Sequence, residues 1–269
     1  MTHDQHVVPQ VYLKNFAEGK MCYVIDGYGK IQNKSIDGIC YEKDYYEFIM
    51  PNGNKVVSNI TENTLQKIET IYSDFIEDLL RAINQDRGLY FLKQEDNKLC
   101  LITWIILMLL RNPLVFSLTS EVAEALGHKL NDIQSHNNAI LNISLFLEDI
   151  SRRINKTHKI VFIKNTSEIS FITSNYPSIF AKDSNGEERG YMPLSSRYYV
   201  LLVNKKNKSL KEGEIIPAKP SVVEYYNKRI ISNVIHVKTN VNYKYIISKD
   251  RKSLEYYHEY IKKEISEKS

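Results

Sequence analysis

The chain has 269 residues, 43% of them hydrophobic, so it is long and apolar enough to bury a sizeable core. Lys and Arg number 36 against 32 Asp and Glu, and a net charge of +4 is too small to indicate a nucleic-acid-binding protein by itself. The three cysteines lack CxxC spacing, which excludes a zinc ribbon and a disulfide framework and favours a reducing, cytoplasmic location.

The opening segment, residues 3–16, combines His, Asp, Gln and Pro with apolar residues. We expect this arm to dock onto the body, because an undocked terminus would fray. Short alternating stretches at 21–25 and 29–33 flank an Asp-Gly turn, which predicts a β-hairpin. Residues 44–50 and 51–57 likewise form a strand-like stretch followed by an Asn-Gly turn, which predicts a second β-hairpin. The start of the chain therefore predicts an arm and a small β-rich part.

The next part predicts a long amphipathic helix that begins at a cap formed by Ser58 or Thr61 and ends near Gly88. Its apolar residues recur at intervals of three and four, as expected for one buried helix face. We assign to that face Leu65, Ile68, Ile71, Tyr72, Phe75, Leu79 and Ile83.

The most apolar stretch is LCLITWIILMLL at residues 99–110. A membrane span needs about 20 such residues, so this run predicts a buried helix and no membrane partner. We expect it to begin near Gln94, to stop before Pro113 and to lie at the centre of a helical layer. Further amphipathic helices are predicted at 117–128 and 131–154.

The last part of the chain predicts strands mixed with helices. The strands are expected at residues 159–163, 169–173, 198–203, 234–237 and 243–247. The helices are expected at 221–232, capped by Ser221, and at 250–267, with polar loops at 182–190 and 204–214. We therefore predict one α+β domain, with an arm and β-hairpins at 1–57, a central helical layer at 58–157 and a C-terminal mixed sheet with helices at 158–269.

Three segments together resemble one protein family. The pattern H-x-x-P-Q-x-Y-L-x-x-F at residues 6–16 is similar to the family's N-terminal motif, and Arg-Asn-Pro at 111–113 to its Arg-x-Pro. FITSNYP at 171–177 and MPLS at 192–195 resemble its ITSDxP and PLS block. The family is a bacterial domain of unknown function, number 4238, and the resemblance spans residues 3–237.

The resemblance indicates where to look for a site but does not identify a reaction. Some members of the family are linked to single-gene bacterial defence against phage, and their chemistry is not settled. The family often has Asp where this chain has Asn175. Loss of that carboxylate would alter a metal-binding or basic role, but Asn serves as well as Asp if the residue only fixes a turn.

The candidate catalytic residues are His6, Arg111 and Asn175. His6 could act as a general base, and Arg111 offers a planar fork for a phosphate or carboxylate. Asn175 follows a predicted strand, where site residues are common. Each also has a structural alternative: His6 could pin the arm, Arg111 suits a helix C-terminus, and Asn175 could cap local backbone.

The candidate substrate-binding residues are Gln10, Ser195 and Arg197. Gln10 could clamp a ligand or the backbone, whereas Ser195 and Arg197 lie in a turn and could hold an anion or only shape that turn. The His3-Asp4-x-His6 pattern is too common to name a metal, so no metal ligand is assigned. The sequence contains no P-loop, Rossmann glycine pattern, HExxH or kinase motif, so the cofactor, if there is one, is unknown.

Three functions remain open. The first is a cytoplasmic anti-phage defence effector that hydrolyses nucleic acid or a nucleotide, which would make it a nuclease or another phosphoester hydrolase. The second is a non-catalytic sensor that recognises a phage component, such as a phage protein, through a surface rich in the chain's 19 tyrosines. The third is a purely structural role for the motifs. The enzyme hypothesis requires the side chains of His6, Arg111 and Asn175 to face one pocket.

Overall fold

Strands lie in the N-terminal and C-terminal parts of the chain, three long helices in between include two of 25 and 26 residues, and two further helices follow in the C-terminal part. The computed structural model describes residues 3–26, 29–94, 96–112, 131–182, 186–236 and 245–267. Its strands are β1 (Asp4–His6), β2 (Met21–Ile25), β3 (Ile31–Ser35), β4 (Tyr41–Lys43), β5 (Phe48–Ile49), β6 (Lys55–Val56), β7 (His158–Asn165), β8 (Thr173–Ser174), β9 (Ile179–Lys182), β10 (Glu188–Pro193), β11 (Tyr198–Asn204), β12 (Ile215–Ala218) and β13 (Ile246–Ser248). Its helices are α1 (Gln10–Leu13), α2 (Ile60–Asn84), α3 (Gly88–Lys93), α4 (Asn97–Leu110), α5 (Asp132–Thr157), α6 (Pro220–His236) and α7 (Arg251–Ser266). The predicted α+β class is confirmed.

The two larger sheets organise the strands. One has the order β12-β7-β11-β10-β9, in which β12 runs parallel to β7 and the other pairs are antiparallel. The other has the order β3-β2-β13-β8 and is antiparallel throughout. The second sheet joins the predicted N-terminal hairpin to a strand close to the C-terminus. The opening and closing parts of the chain therefore stabilise each other.

The N-terminal arm is docked by both strand pairing and burial. Strand β1 pairs with β4, a strand that the sequence pattern did not reveal. Tyr12, Leu13 and Phe16 of the arm are fully buried in the larger of two apolar clusters. The free energy gained by burying three side chains of this size offsets the conformational entropy that the arm loses when it becomes ordered.

Helix α4 carries the apolar run, and eight of its residues are buried, whereas Leu99, Cys100 and Thr103 are half-buried. It packs against α3 and α5, and Trp104 stacks on Tyr72 of α2 with ring centroids 3.5 Å apart. This agrees with the prediction of a helix at the centre of the helical layer. Among the described residues, no helix combines the length and the hydrophobicity that a membrane crossing requires.

The predicted start and buried face of α2 were partly wrong. Neither Ser58 nor Thr61 is the N-cap, which is Asn59 in the left-handed region at φ 54° and without a side-chain cap hydrogen bond. The Glu47 carboxylate instead accepts the backbone N–H groups of Ser58 and Asn59 and fixes the entry to the helix. Ile71, assigned to the buried face, is 66% exposed.

Two predicted strands in the C-terminal part were wrong. Residues 169–172 are not in a strand. The side chain of Asn227 in α6 accepts a hydrogen bond from Ile172 N and donates one to Ser170 O. The backbone of this segment therefore finds its partners on a helix. Residues 234–236 belong to α6, which begins at Pro220 and extends further than predicted. Pro suits the first position of a helix, so Ser221 is not a cap.

The remaining predictions have mixed outcomes. The hairpins at β2–β3 and β5–β6 are confirmed, although β5 and β6 have only two residues each. The last helix is confirmed, with Asp250 as its N-cap. Strands β9 and β10 overlap the ends of the loop expected at 182–190, and β12 follows the loop expected at 204–214, where no strand was predicted. The helix predicted at 117–128 lies outside the described residues.

Candidate functional site

Arg111 lies at the centre of the polar cluster that holds the arm. It follows the last residue of α4 and is 1% exposed. Its Nε donates to the Tyr46 hydroxyl at 2.8 Å, its Nη1 to Glu69 Oε1 at 2.6 Å, and its Nη2 to the backbone carbonyl of His6. Burial alone would lower the pKa of Arg111, but Tyr46 and Glu69 raise this pKa above its usual value. The guanidinium is therefore charged and is held by protein groups.

The side chain of His6 binds a different partner from the one that its backbone carbonyl binds. Gln10 Nε2 donates to His6 Nε2 across 3.2 Å, and the imidazole lies 5.9 Å from the Tyr41 ring. Burial lowers the pKa of His6. The imidazole is therefore neutral at pH 7, and its Nε2 lone pair accepts from Gln10. His6 and Gln10, both predicted site residues, bind each other.

Two buried carboxylates complete this part of the molecule. Glu47 accepts hydrogen bonds from Gln5 Nε2 at 2.8 Å, Ser58 N at 2.6 Å and Asn59 N at 3.0 Å, so one carboxylate joins the arm to the start of α2. Glu62 is 5% exposed, and its Oε2 has no hydrogen-bond partner among the described residues. Burial raises the pKa of Glu62 although nearby Arg111 lowers it.

Asn175 is buried and directly follows β8. Its Oδ1 accepts a hydrogen bond from Tyr245 N, and its own N donates to Tyr245 O at 3.3 Å. These bonds extend the pairing of β8 with β13 by one residue. Within the described chain, Asn175 shares no hydrogen-bond partner with His6 or Arg111. The side chains of the three predicted catalytic residues are therefore each hydrogen-bonded to different protein groups.

The three motif segments do meet, but through other atoms. The Tyr12 hydroxyl lies 2.8 Å from Thr173 Oγ1 and donates to Pro193 O at the same distance. Because the Tyr12 proton goes to Pro193, the Thr173 hydroxyl donates to the Tyr12 oxygen. Ser178 Oγ donates to Ile105 O of α4 at 2.9 Å. The arm, the apolar helix and the later motif block thus form one connected scaffold.

Ser195 and Arg197 occupy the turn before β11. Ser195 Oγ accepts the backbone N–H groups of Arg197 and Tyr198, each at 3.2 Å, which is turn chemistry. The Arg197 side chain is exposed at a polar cleft of about 590 Å³ and forms no ion pair with the described residues. The cleft is lined by Glu18, Asn165, Thr166, Ser167, Glu168, Ser170, Ser196, Arg197, Lys249 and Asp250. Its mixed acidic and basic lining does not define a ligand.

Residues that sequence reasoning missed carry much of the cluster around Arg111. Tyr46, Glu47, Glu62 and Glu69 are scattered over a turn and a helix, and no spacing rule connects them to Arg111. The sequence held one signal for these partners: an Arg that is buried at the end of an apolar helix requires an acidic partner. Among the described residues, no group of three His, Cys, Asp or Glu side chains is arranged to hold a metal ion.

The comparisons with known proteins give one result. No curated protein and no solved structure matches the chain. The model of a family described as protein of unknown function (DUF4238) matches residues 4–252, which include all three motif segments. The chain therefore belongs to the DUF4238 family.

Proposed function

We propose that this protein serves in bacterial defence against phage by binding a phage component, without a hydrolytic step at His6, Arg111 and Asn175. The defence role rests on the link of some family members to phage defence. The binding role rests on one observation: the side chains of these three residues are already hydrogen-bonded to other groups of the protein. Arg111 holds the arm, His6 accepts from Gln10, and Asn175 holds Tyr245.

The state of Arg111 is the strongest argument against hydrolysis at this place. Stabilising an anionic transition state requires N–H groups aimed at the reacting atoms. Arg111 is 1% exposed, and each of its three nitrogens already donates to a protein oxygen. Freeing it would leave the Glu69 carboxylate without its ion-pair partner, a change that typically costs about 3–5 kcal/mol.

Phosphoester hydrolysis is the second candidate, and one observation favours it. Burial lowers the pKa of His6, and the neutral imidazole is the form that accepts a proton. Its Nδ1 has no hydrogen-bond partner among the described residues. In this alternative His6 acts alone as a base on nucleic acid or a nucleotide, with the arm as its support.

His6→Ala separates the two functions. A plaque assay would compare phage protection by wild-type and variant chains, at a temperature below the lowest Tm measured for the purified proteins. If binding is the function, we expect His6→Ala to keep its protection and to lose a few degrees of Tm, because the bond to Gln10 and the packing of the imidazole against Tyr41 are lost. His3→Ala is the matched control, since His3 is on the same arm and bonds only to Asp44.

Two results would contradict the proposal. Removal of a general base lowers a rate by about 10²–10⁴-fold, so a loss of protection by His6→Ala with an unchanged Tm would indicate catalysis. His3→Ala would retain protection in that case. A wild-type chain that protects against no phage tested would contradict the defence role itself.

A further inference from the structure

Helices α6 and α7 lie side by side and present tyrosine rings to solvent. Tyr225 on α6 is 50% exposed and Tyr256 on α7 is 56% exposed. Each ring packs edge-on against a buried neighbour, Tyr225 on Tyr226 with centroids 5.2 Å apart and Tyr256 on Tyr257 at 4.9 Å. The two exposed rings are therefore held in place before any partner binds, which lowers the entropy lost on binding.

Two cationic side chains of α6 lie beside tyrosine rings. Arg229 Cζ is 5.5 Å from the Tyr191 ring centroid and 5.9 Å from that of Tyr225, and its Nε donates to the Tyr191 hydroxyl at 2.9 Å. No carboxylate among the described residues forms an ion pair with Arg229. Lys228 is 5.0 Å from the Tyr260 ring centroid and bonds to Glu224. Arg229 Nη2 also donates to the Tyr191 hydroxyl, and Nη1 has no hydrogen-bond partner among the described residues. The positive charge of Arg229 therefore lies beside an exposed aromatic ring with one nitrogen left to bind a partner.

The composition of this surface favours nucleic acid over protein as the partner. The large apolar side chains exposed on α6 and α7 are tyrosines, within the described residues, whereas exposed Ile or Leu occurs on α2, α3 and α5. Each of the two helices carries one more Lys or Arg than Asp or Glu. Lys228 is paired with Glu224, so of the two cations Arg229 is the one left for a phosphate. Exposed tyrosine rings beside such a cation, without exposed Ile or Leu, match bases and phosphates better than the apolar core of a protein interface.

We propose that the α6–α7 face, formed by Tyr225, Lys228, Arg229, Tyr256 and Tyr260, binds single-stranded nucleic acid. Bases stack on Tyr225 and Tyr256, and Arg229 contacts a phosphate. Every base has an aromatic face, so recognition depends little on sequence. This inference names the component for the binding role proposed above and rests on that role for its biological meaning, although the binding can be measured on the purified protein.

The test is fluorescence anisotropy with the full-length protein and a fluorescein-labelled oligothymidylate of about 16 nucleotides, a length within known site sizes. We expect saturable binding that weakens as salt is raised. Tyr225→Ala and Tyr256→Ala should each lower the affinity by about fivefold or more, and Tyr225→Phe should not, because the stacking ring remains. Arg229→Ala should weaken binding and reduce the salt slope by about one.

Tyr90→Ala is the matched control, because Tyr90 is 68% exposed on α3, away from this face. Absence of binding at low salt, equal affinities for Tyr225→Ala and Tyr90→Ala, or equal binding of a duplex of the same length would each overturn the inference. If the oligonucleotide fails to bind and Tyr225→Ala abolishes phage protection, the face docks a protein. If the oligonucleotide binds as expected but the wild-type chain gives no protection, the inference stands and the defence role fails.

Discussion

Asn175 works through one acceptor oxygen. Its Oδ1 takes the N–H of Tyr245, at the place where β13 begins to pair with β8. An aspartate carboxylate offers an oxygen of the same kind, which explains in physical terms how Asn can stand where the motif resemblance implies Asp. The substitution is therefore compatible with an intact fold.

We predict that Asn175→Ala destabilises the protein by about 1–3 kcal/mol, because the Tyr245 N–H loses its acceptor. Asn175→Asp should cost less, since it keeps an acceptor oxygen at the same place. Urea unfolding of the two variants and the wild type measures both changes. Equal losses for Ala and Asp would show that the hydrogen bond to Tyr245 does not contribute.

Arg111 shows why sequence reasoning found residues but not their roles. The resemblance identified it, yet its partners Tyr46 and Glu69 lie 65 and 42 positions away along the chain. No local pattern encodes such distant pairs. Fully buried polar groups need partners, so the sequence could predict that Arg111 is paired but not with which residue.

At the scale of elements, α1 connects the N-terminal arm to the rest of the fold through Tyr12. One hydroxyl joins Thr173 of β8 and Pro193 of β10, which belong to different sheets. The ring itself is fully buried and lies 5.3 Å from that of Phe16. The arm is thus held by a hydrogen-bonded hydroxyl as well as by its apolar side chains.

Tyr12→Phe tests this attachment. We expect it to lower the free energy of unfolding by about 1–3 kcal/mol, because Thr173 and Pro193 lose their partner while packing is kept. Hydrogen exchange should speed up at the amides of β1 and α1 before it does so in β11. Tyr90→Phe serves as the control, since Tyr90 is 68% exposed. Indistinguishable exchange in the two variants would refute the role given to the Tyr12 hydroxyl.

The elements that sequence reasoning predicted best are those specified by local pattern. Helices α4 and α7 have an unbroken apolar run or a regular amphipathic repeat, and both lie close to their predicted bounds. Residues 169–173 look equally regular but only Thr173 is in a strand, because Asn227 supplies the hydrogen bonds of the segment before it. That choice depends on a helix more than 50 residues later and is invisible to a local pattern.

At the scale of the whole molecule, burial sets how stability depends on pH. Burial lowers the pKa of His6, His136 and His158 below the ordinary value of 6.5. Below pH 6.5 the unfolded chain therefore binds more protons at these residues than the folded protein does, so acid favours unfolding. Glu62 acts in the opposite sense, because burial raises its pKa above 4.5.

We predict that Tm falls as the pH is lowered from 7 to 5, because the destabilising effect of protonating these three histidines exceeds the opposing effect of Glu62. Calorimetry at intermediate pH values measures the slope. His158→Gln should make the slope shallower, because it removes one of the three groups. A Tm that stays constant or rises on acidification would contradict this account of the buried histidines.

The pairing of Trp104 with Tyr72 has a practical consequence. Trp104 is the chain's single tryptophan, and its ring lies parallel to the Tyr72 ring inside the helical layer. All indole emission therefore originates at the contact between α2 and α4. A red shift of that emission would report water entering this contact, with no dye or introduced label, and could be compared directly with the loss of ellipticity from the whole backbone.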